Sequence, residues 1–272
     1  MKSMSLKEVQ EISLNILKDV HRFCEKNEIA YTLYGGTMIG AIRHKGFIPW
    51  DDDIDIAMPR RDYERFCNTY RSKSGYRVFH AGNSDCILTF ARVCEVKETI
   101  AFYPQSPWIK EKVGVWIDVF PLDDAPDDVA IVEAHINTLI KQMRRLYLHR
   151  QANASFCSEG SVVWNVKLLV KKLLKRFWWE KPSRIVEKYI NNCRSFENAS
   201  CCHFCNFSYT GFGIKEYQLK EDFKSTLSVP FEDSYFCCAN GYDRIMRTKY
   251  GDYMTIPPKE QQRVHPMNCY WR

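Results

Sequence analysis

The sequence predicts an α+β fold with a mixed β-sheet core, flanking helices and a helical addition. Segments with strand character are concentrated in the first half of the chain, whereas residues 127–198 have a mostly helical pattern. The composition is 45% apolar and 14% aromatic, which is enough to bury a core. The chain shows no internal repeat and no low-complexity linker, so we predict one domain over residues 1–272.

The first predicted elements alternate between helix and strand. The stretch SLKE at residues 5–8 is typical of a helix-capping box, and apolar residues then recur at helical spacing as far as Phe23. A short β-rich run, IAYTLYGG, ends at two glycines, and TMIGAIRHKG predicts a short helix that ends at Gly46. The alternation in DIDIAM predicts a strand, and Pro59 predicts the start of a helix.

Later strands are predicted in YRVFH, ILTFARVCEV and GVWIDVFPL. Residues 204–272 combine short strands with a helix near 240–250 and the loop YGDYMTIPPKE. The apolar stretches fall far short of the roughly 18 residues that span a bilayer. Charges interrupt the N-terminal segment, so we expect no signal peptide. Twelve cysteines without an export signal then favour a reducing cytosol over a disulfide framework.

Four aspartates occupy five positions in the segment GFIPWDDDIDIAMPR, residues 46–60. If DIDI at 53–56 is a strand, Asp53 and Asp55 share one face, about 6–7 Å apart, and the isoleucines face the core. Asp118 is a single acid inside the apolar strand WIDVF, where a buried charge needs a partner. Carboxylates placed in this way can hold a divalent cation such as Mg²⁺. The pattern favours a metal site, with a solvated acidic loop as the alternative.

A glycine turn precedes the acids. Gly35, Gly36 and Thr37 end one predicted strand and begin a helix, and Gly36 lies 17 residues before Asp53. Glycines at such a turn let a phosphate approach the backbone, and a helix N-terminus favours an anion. These three residues are therefore candidate substrate ligands, with a simple chain turn as the alternative.

The glycine turn, the Asp-hydrophobic-Asp pair and a third acid inside a strand together resemble the nucleotidyltransferase superfamily. The segment YTLYGGTMIGAIRHKGFIPWDDDIDIAMPRRDYERF is more specifically similar to the LicD family, which includes phosphocholine transferases and the fukutin-related proteins. The segments GVWIDVFPLDDAP and YGDYMTIPPKEQQRVHP resemble later blocks of that family. The resemblance covers about residues 8–125 and 205–266. It implies a nucleotidyltransferase-like core, to which residues 127–198 add the basic helical segment predicted from their own pattern.

The resemblance also implies a metal-dependent reaction. A phospho-alcohol group would pass from a CDP-activated donor to a hydroxyl of a cell-surface glycan or of its lipid-linked precursor. Asp53 and Asp55 would hold Mg²⁺, or alternatively Mn²⁺, against the diphosphate. Asp118 would complete the metal site and accept the hydroxyl proton, directly or through the metal. Asp51 matches another acidic position of the family, as a ligand or as support, whereas strand alternation is expected to turn Asp52 away.

Four further residues are candidate substrate ligands. Arg43 and Lys45 lie between the glycine turn and the acids, where they can pair with donor phosphates, or they mark an exposed helix end. Arg92 lies among strand residues and requires an anion, either a phosphate or an active-site carboxylate. His265 matches a histidine in the family's C-terminal block, and its role is either catalytic or structural.

The basic charge is concentrated in residues 141–190, which hold twelve Lys/Arg and three Glu, a local charge of +9. Within them, VKLLVKKLLKRFWWEK at 166–181 predicts a basic amphipathic helix, which is typical of contact with anionic membranes. The alternative is an ordinary helix that packs on the core. Its predicted apolar face contains Leu169, Leu173 and Phe177, and its predicted basic face Lys167, Lys171 and Lys175.

These features predict a cytoplasmic protein with peripheral contact at the inner face of the membrane. Nucleic acid is not an expected partner, because no RNA-binding module is recognisable. Structural Zn²⁺ is not expected either, because CCHFC at 201–205 and CC at 237–238 lack the spacing of a zinc site.

The transferred alcohol is left open between choline, ribitol, glycerol and ethanolamine, and the acceptor between teichoic acid, capsule and another surface glycan. Two other functions compete with phosphotransfer. One is a nucleotidyltransferase that moves NMP from an NTP, and the other is a non-catalytic protein of this fold that binds a metal or a glycan. The intact acid set, Asp53, Asp55 and Asp118, argues against the non-catalytic alternative.

Overall fold

A seven-stranded mixed sheet lies at the centre of the fold. The computed structural model describes residues 1–82, 88–101, 113–152, 162–177, 180–262 and 268–272. In chain order the strands are β1 (Thr32–Leu33), β2 (Asp55–Pro59), β3 (Arg77–Phe79), β4 (Ala91–Cys94), β5 (Thr99–Ala101), β6 (Trp116–Ala125), β7 (His203–Cys205), β8 (Tyr217–Leu219), β9 (Thr226–Phe231), β10 (Ser234–Ala239) and β11 (Cys269–Trp271).

The central sheet has the strand order β1-β2-β6-β4-β3, and β7 and β8 continue from the far end of β6. Strands β2 and β6 are parallel, whereas the other pairs in this sheet are antiparallel. Two smaller antiparallel pairs, β9 with β10 and β5 with β11, stand apart from it. The long strand β6 therefore touches β2, β4 and β7, and it connects the two halves of the sheet.

The helices are α1 (Leu6–Lys26), α2 (Gly35–Ile39), α3 (Arg60–Thr69), α4 (Val129–Ala152), α5 (Val162–Phe177), α6 (Pro182–Cys193) and α7 (Tyr242–Tyr250). A π-helical turn, Gly40–His44, extends α2, and short 3₁₀ turns cover Thr210–Glu216, Lys220–Phe223 and Lys259–Gln261. The capping box predicted at SLKE is confirmed, because the Ser5 side chain accepts from the Glu8 amide and the Glu8 carboxylate accepts from the Ser5 amide.

The main core lies between α1 and the central sheet. Ile54 and Ile56 are fully buried there, as the alternation predicted. A second apolar cluster lies between α4, α6 and the end of β6, around Leu139, Tyr189 and Phe207. The mixed sheet with flanking helices is thus confirmed, and the described residues between 129 and 193 are mostly helical, whereas the nucleotidyltransferase-like topology stays a prediction. In the part of the chain that the structure describes, no helix is long and apolar enough to span a bilayer.

One predicted boundary is wrong. The strand expected to begin at Asp53 begins at Asp55, and residues 51–54 precede it without strand pairing. The next element follows at once, since α3 begins directly after Pro59. A buried ion pair fixes the start of α3, because Arg60 donates to both carboxylate oxygens of Asp123 on β6, at 2.7 and 2.8 Å. The end of β2 and the start of α3 are thereby held against β6.

Candidate active site

Three carboxylates converge where β2 and β6 run side by side. Asp55 opens β2 and stands opposite Asp118 in the parallel register. The Asp118 amide donates to the Ile54 carbonyl at 2.8 Å, which holds the approach segment of β2 against β6. One carboxylate oxygen from each of Asp53, Asp55 and Asp118 lies within 4.8 Å of the other two. The arrangement offers three oxygen ligands to one ion, the kind of ligand that Mg²⁺ prefers.

A second carboxylate group adjoins the first. Oxygens of Asp51, Asp52 and Asp53 also lie within 4.8 Å of one another, so Asp53 belongs to both groups. The expectation that alternation turns Asp52 away is not supported, because the strand begins only at Asp55. Asp52 is instead buried, with 4% of its surface exposed. Its minor role in the reaction stays a prediction.

The glycine turn packs directly against these acids. Gly35 has φ +54°, and a Cβ there would lie 2.5 Å from the Asp55 Oδ2 atom. A Cβ on Gly36 would lie 2.7 Å from the Asp51 Oδ2 atom. The hydroxyl of Thr37 accepts from the Asp55 amide at 2.8 Å. Two residues without side chains thus let two carboxylates approach the turn, and phosphate binding by the turn stays a prediction.

Arg92 lies beside Asp118 on the neighbouring strand β4, in direct register. Its Nε donates to the Asp118 Oδ1 atom at 2.6 Å, and its guanidinium lies 4.5 Å from the ring centroid of Trp116. Of the two anions that the sequence suggested for Arg92, the structure shows the carboxylate. Arg92 therefore orients Asp118, and contact with a donor phosphate stays a prediction.

Arg43 and Lys45 both bind backbone carbonyls. Arg43 Nη1 donates to the carbonyls of Tyr253 and Thr255, at 2.5 and 3.3 Å, and so attaches the C-terminal loop to the turn after α2. Lys45 is exposed and donates to a carbonyl of that same turn at 2.9 Å. The contacts of Arg43 and Lys45 with donor phosphates stay a prediction. His265 lies outside the described residues.

Burial and mutual repulsion disfavour full ionisation of the cluster. Burial, followed by the charges of Asp55 and Asp51, raises the pKa of Asp53 well above its usual range. Burial, followed by the charges of Asp118 and Asp51, does the same to the pKa of Asp55. Burial also raises the pKa of Asp118, although Arg92 opposes the shift. A divalent cation would remove this repulsion, so the donor set and its electrostatics both fit a metal ion.

A buried ion pair behind the acids was not predicted. Lys249 on α7 and Glu216 are both almost fully buried, with Nζ 3.0 Å from the Glu216 Oε1 atom. The Tyr34 hydroxyl donates to the same carboxylate. Lys249 also lowers the pKa of Asp55 against the larger effects of burial and the acids. The sequence did carry a signal, since Lys249 continues the buried face of α7 four residues after Ile245.

The cysteine-rich segments do not gather into a comparable group. Cys205 is buried on β7, and Cys238 is buried on β10. Among the residues that the structure describes, every set of three or more side chains close enough to share an ion consists of aspartates. The acid cluster is thus the candidate metal centre of the described chain.

Comparison with known proteins now identifies the family. The family model described as the LicD/FKTN/FKRP nucleotidyltransferase domain matches residues 28–130, which contain the glycine turn and the five aspartates of the two carboxylate groups. The lipopolysaccharide cholinephosphotransferase LicD of Haemophilus influenzae is 32% identical over 277 residues, which cover 97% of this chain and 97% of that protein. The chain belongs to the LicD family. The family membership predicted from the motifs is confirmed.

Two further relatives match shorter parts of this LicD-family chain. An uncharacterized protein of Rickettsia typhi is 36% identical over 83 residues, 29% of this chain and 26% of that protein. An uncharacterized protein of Rickettsia prowazekii is 47% identical over 47 residues, 17% of this chain and 18% of that protein. Only the Haemophilus protein, among these three, is similar along nearly its whole length.

Proposed function

We propose that this LicD-family protein is a metal-dependent phosphotransferase that moves phosphocholine from CDP-choline to a hydroxyl of a cell-surface glycan or of its lipid-linked precursor. The observation that carries the proposal is the convergence of Asp53, Asp55 and Asp118 within 4.8 Å. This cluster lies in a chain that aligns over 97% of its length with a cholinephosphotransferase. A role in glycan binding alone would not require three carboxylates to be kept so close together, because their repulsion costs stability.

Asp53, Asp55 and Asp118 would hold Mg²⁺ or Mn²⁺, with Asp51 as a fourth ligand or as support. The bound ion would supply positive charge against the diphosphate of the donor and against the charge that develops during transfer. Asp55 and Asp118 are held by strand pairing, and the glycine turn holds Asp55 from the other side. The ligands are thus positioned by rigid elements before the donor binds.

In the transfer step, the acceptor hydroxyl oxygen attacks the phosphorus that carries choline. The bond from that phosphorus to the bridging oxygen of the diphosphate breaks, and CMP leaves with the electron pair. The hydroxyl proton passes to a carboxylate of the cluster. Arg92 lowers the pKa of Asp118 and so favours its role as a ligand. Asp118 would also be the carboxylate that accepts this proton, directly or through the metal.

The test is incubation of the purified protein with Mg²⁺ and a panel of CDP-alcohols, followed by chromatographic measurement of CMP. We expect CMP release to be fastest with CDP-choline, compared with CDP-ethanolamine, CDP-glycerol and CDP-ribitol. Release of pyrophosphate from an NTP, with no CMP from any CDP-alcohol, would identify a nucleotidyltransferase instead. Absence of both products, with Mg²⁺ or Mn²⁺ present, would leave the non-catalytic alternative.

We also propose that α5 contacts an anionic membrane surface, at the inner face of the membrane for a cytoplasmic protein. Leu168 on this helix is buried, and Lys167 beside it is exposed. The side chains of Lys171, Lys175 and Phe177 lie outside the described residues. Exposed apolar surface beside lysines is typical of interfacial helices. The apolar side chains of α5 that are 48% to 61% exposed are Val163, Val166, Leu169, Val170 and Leu173.

Vesicle flotation tests this contact. The protein should float with vesicles of anionic phosphatidylglycerol and far less with vesicles of neutral phosphatidylcholine. Val166→Asp together with Leu173→Asp should abolish flotation, because two charges enter the proposed apolar face. Leu227→Asp, which charges an exposed apolar position on β9, is the matched control and should float as before. A wild-type protein that stays with the soluble fraction would refute the proposal.

A further inference from the structure

We propose that an arc of aromatic side chains beside the acid cluster binds the trimethylammonium group of choline. The arc consists of Phe90, Phe120, Tyr209, Phe212 and Tyr250. The inference rests on the proposed function, because it assigns the part of the same site that selects the alcohol. It distinguishes choline, which carries a fixed positive charge, from the neutral alcohols ribitol and glycerol.

The arc begins one step along the sheet from the acids. Asp55 and Asp118 stand opposite each other, and two residues further on Ala57 stands opposite Phe120. Alternate residues of a strand share a face, so Phe120 follows Asp118 on the same face at about 6–7 Å. The small side chain of Ala57 adds little bulk beside it. In choline phosphate, one oxygen and two carbons separate the phosphorus from the nitrogen. This spacer is similar in length to the distance between Asp118 and Phe120. A phosphorus held at the acids would therefore place the nitrogen at the rings.

The rings form a continuous series. The ring centroids are 4.5 Å apart for Phe90 and Phe120, 6.1 Å for Phe120 and Tyr209, 6.1 Å for Tyr209 and Phe212, and 5.3 Å for Phe212 and Tyr250. These are ordinary separations for aromatic pairs in contact. The five rings thus form one connected series, and they come from four parts of the chain: β6, the segment before β4, the 3₁₀ turn region and α7.

Both ends of the arc approach the acid cluster. At one end, the Phe90 ring centroid lies 5.8 Å from the guanidinium of Arg92, which is bound to Asp118. At the other end, burial and then the charges of Asp55, Glu216 and Asp51 raise the pKa of Tyr250 well above its usual range, as expected for a ring near those carboxylates. The arc therefore adjoins Asp118 at its Phe90 and Phe120 end, and the charge of Asp55 acts on Tyr250 at its other end.

The rings are accessible to a ligand to different degrees. Tyr209 is 44% exposed, the most accessible ring of the arc. Phe90, Phe212 and Tyr250 are half-buried, whereas Phe120 is buried and contacts the rings of Phe90 and Tyr209. The exposed part of the arc thus offers aromatic surface at the border of a negatively charged site.

The inner edge of the arc already holds a cation. The Lys249 ammonium lies 4.9 Å from the ring centroid of Phe212 and 5.8 Å from that of Tyr250, and it lies 4.0 Å from Tyr34 behind them. These distances are within the range of cation–π contacts, the interaction by which aromatic cages recognise quaternary ammonium groups. Ribitol and glycerol would instead require hydrogen-bond partners for several hydroxyls. The rings and the nearby acids therefore favour a cationic alcohol.

Equilibrium binding separates this cation site from ordinary aromatic packing. Calorimetry in Mg²⁺ without acceptor compares CDP-choline with its neutral isostere, in which carbon replaces the nitrogen of choline. The two ligands have nearly the same shape, so their ratio of dissociation constants reports the contribution of the charge. We expect the wild type to favour CDP-choline about 5- to 30-fold, from the known strength of cation–π contacts.

Variants assign that preference to the arc. Tyr209→Leu should reduce the preference to near unity, while Tyr209→Phe, which keeps the ring, should retain it. Tyr235→Leu removes a more exposed ring on β10, outside the arc, and should change nothing. Phe90→Leu gives a second, independent reduction. Circular dichroism and Mg²⁺ affinity, which should be unchanged in all four variants, verify that the fold and the acid cluster survive.

The inference and the proposed function fail in different ways. Equal binding of the two ligands by the wild type, or an unchanged preference in both Tyr209→Leu and Phe90→Leu, overturns the inference. Turnover of CDP-ribitol or CDP-glycerol in place of CDP-choline also overturns it, while phosphotransfer itself stands. Failure of every CDP-alcohol to yield CMP overturns the proposed function, and the binding ratio still decides whether the arc recognises a cation.

Discussion

Asp53→Asn should stabilise the metal-free protein and at the same time abolish transfer. Asp53 lies in both carboxylate groups, and its neighbours lie within 4.8 Å. Two ionised carboxylates at that distance repel by about 3.5 kcal/mol at an effective dielectric constant of about 20. Partial protonation of the cluster relieves some of this repulsion, so the variant should gain about 1–3 kcal/mol. For a chain of this size, that gain raises the melting temperature by roughly 2–10 °C.

The gain should depend on pH in a defined direction. Burial and the other aspartates raise the pKa of Asp53 in the folded protein. Such a group contributes stability that is complete below its unfolded-state pKa, near 4, and is lost as the pH rises through the folded-state pKa. The metal-free wild type should therefore fall behind Asp53→Asn progressively from about pH 4 upward. Added Mg²⁺ should reverse the order, because it binds and stabilises only the wild type.

Thermal unfolding in EDTA and in Mg²⁺, at pH 5.5 and pH 8, measures both effects, and CMP release measures transfer. Glu11→Gln removes an exposed carboxylate on α1 and should leave stability and activity unchanged. Asp52→Asn should reduce transfer less than Asp53→Asn, because only Asp53 belongs to both carboxylate groups. An Asp53→Asn protein that is less stable than the wild type in EDTA at pH 8, or that transfers at full rate, would refute the reasoning.

Three further predictions concern the surroundings of the cluster. Gly35→Ala should abolish Mg²⁺-dependent CMP release, because the added Cβ would lie 2.5 Å from the Asp55 carboxylate. Gly251→Ala is the control and should keep CMP release, because Gly251 also has a positive φ but has no atom within 4 Å of the added Cβ. Lys249→Met should cost about 3–5 kcal/mol in urea unfolding by leaving Glu216 buried and unpaired, and adding Glu216→Gln should restore part of that loss. Mg²⁺ binding should release protons and weaken as the pH falls, because the carboxyls must ionise to bind it; equal calorimetric heats in buffers of different ionisation enthalpy would contradict this.

The acid pair could be predicted from the sequence because the information is local. Asp53 and Asp55 alternate with buried isoleucines, and the burial of Ile54 and Ile56 follows the same alternation although the strand begins later than predicted. The position of Asp118 relative to Asp55 could not be derived in this way. Parallel pairing of β2 with β6 joins segments 63 residues apart, as from Asp55 to Asp118, and neither strand's own pattern specifies its partner or its register.

The residues missed by the sequence analysis act through tertiary contacts. Glu216 lies in an irregular 3₁₀ turn whose pattern gives no sign of burial. Tyr209 and Phe212 belong to the same region and read individually as ordinary loop aromatics. Their relation to the acids arises only when the turn packs beside β6, so a single sequence can suggest the chemistry of the cluster but not the surface that surrounds it.

The charges around the cluster favour a donor that brings a cation with it. The five aspartates of the two carboxylate groups each carry a negative charge when ionised, and Arg92 is bound to one of them, Asp118. Lys249 contributes no net charge, because Glu216 neutralises it. The diphosphate of a CDP-alcohol would have to be placed against those acids that a divalent ion does not neutralise. At the proposed aromatic arc, the fixed positive charge of choline would offset part of that repulsion, whereas the neutral alcohols ribitol and glycerol would not.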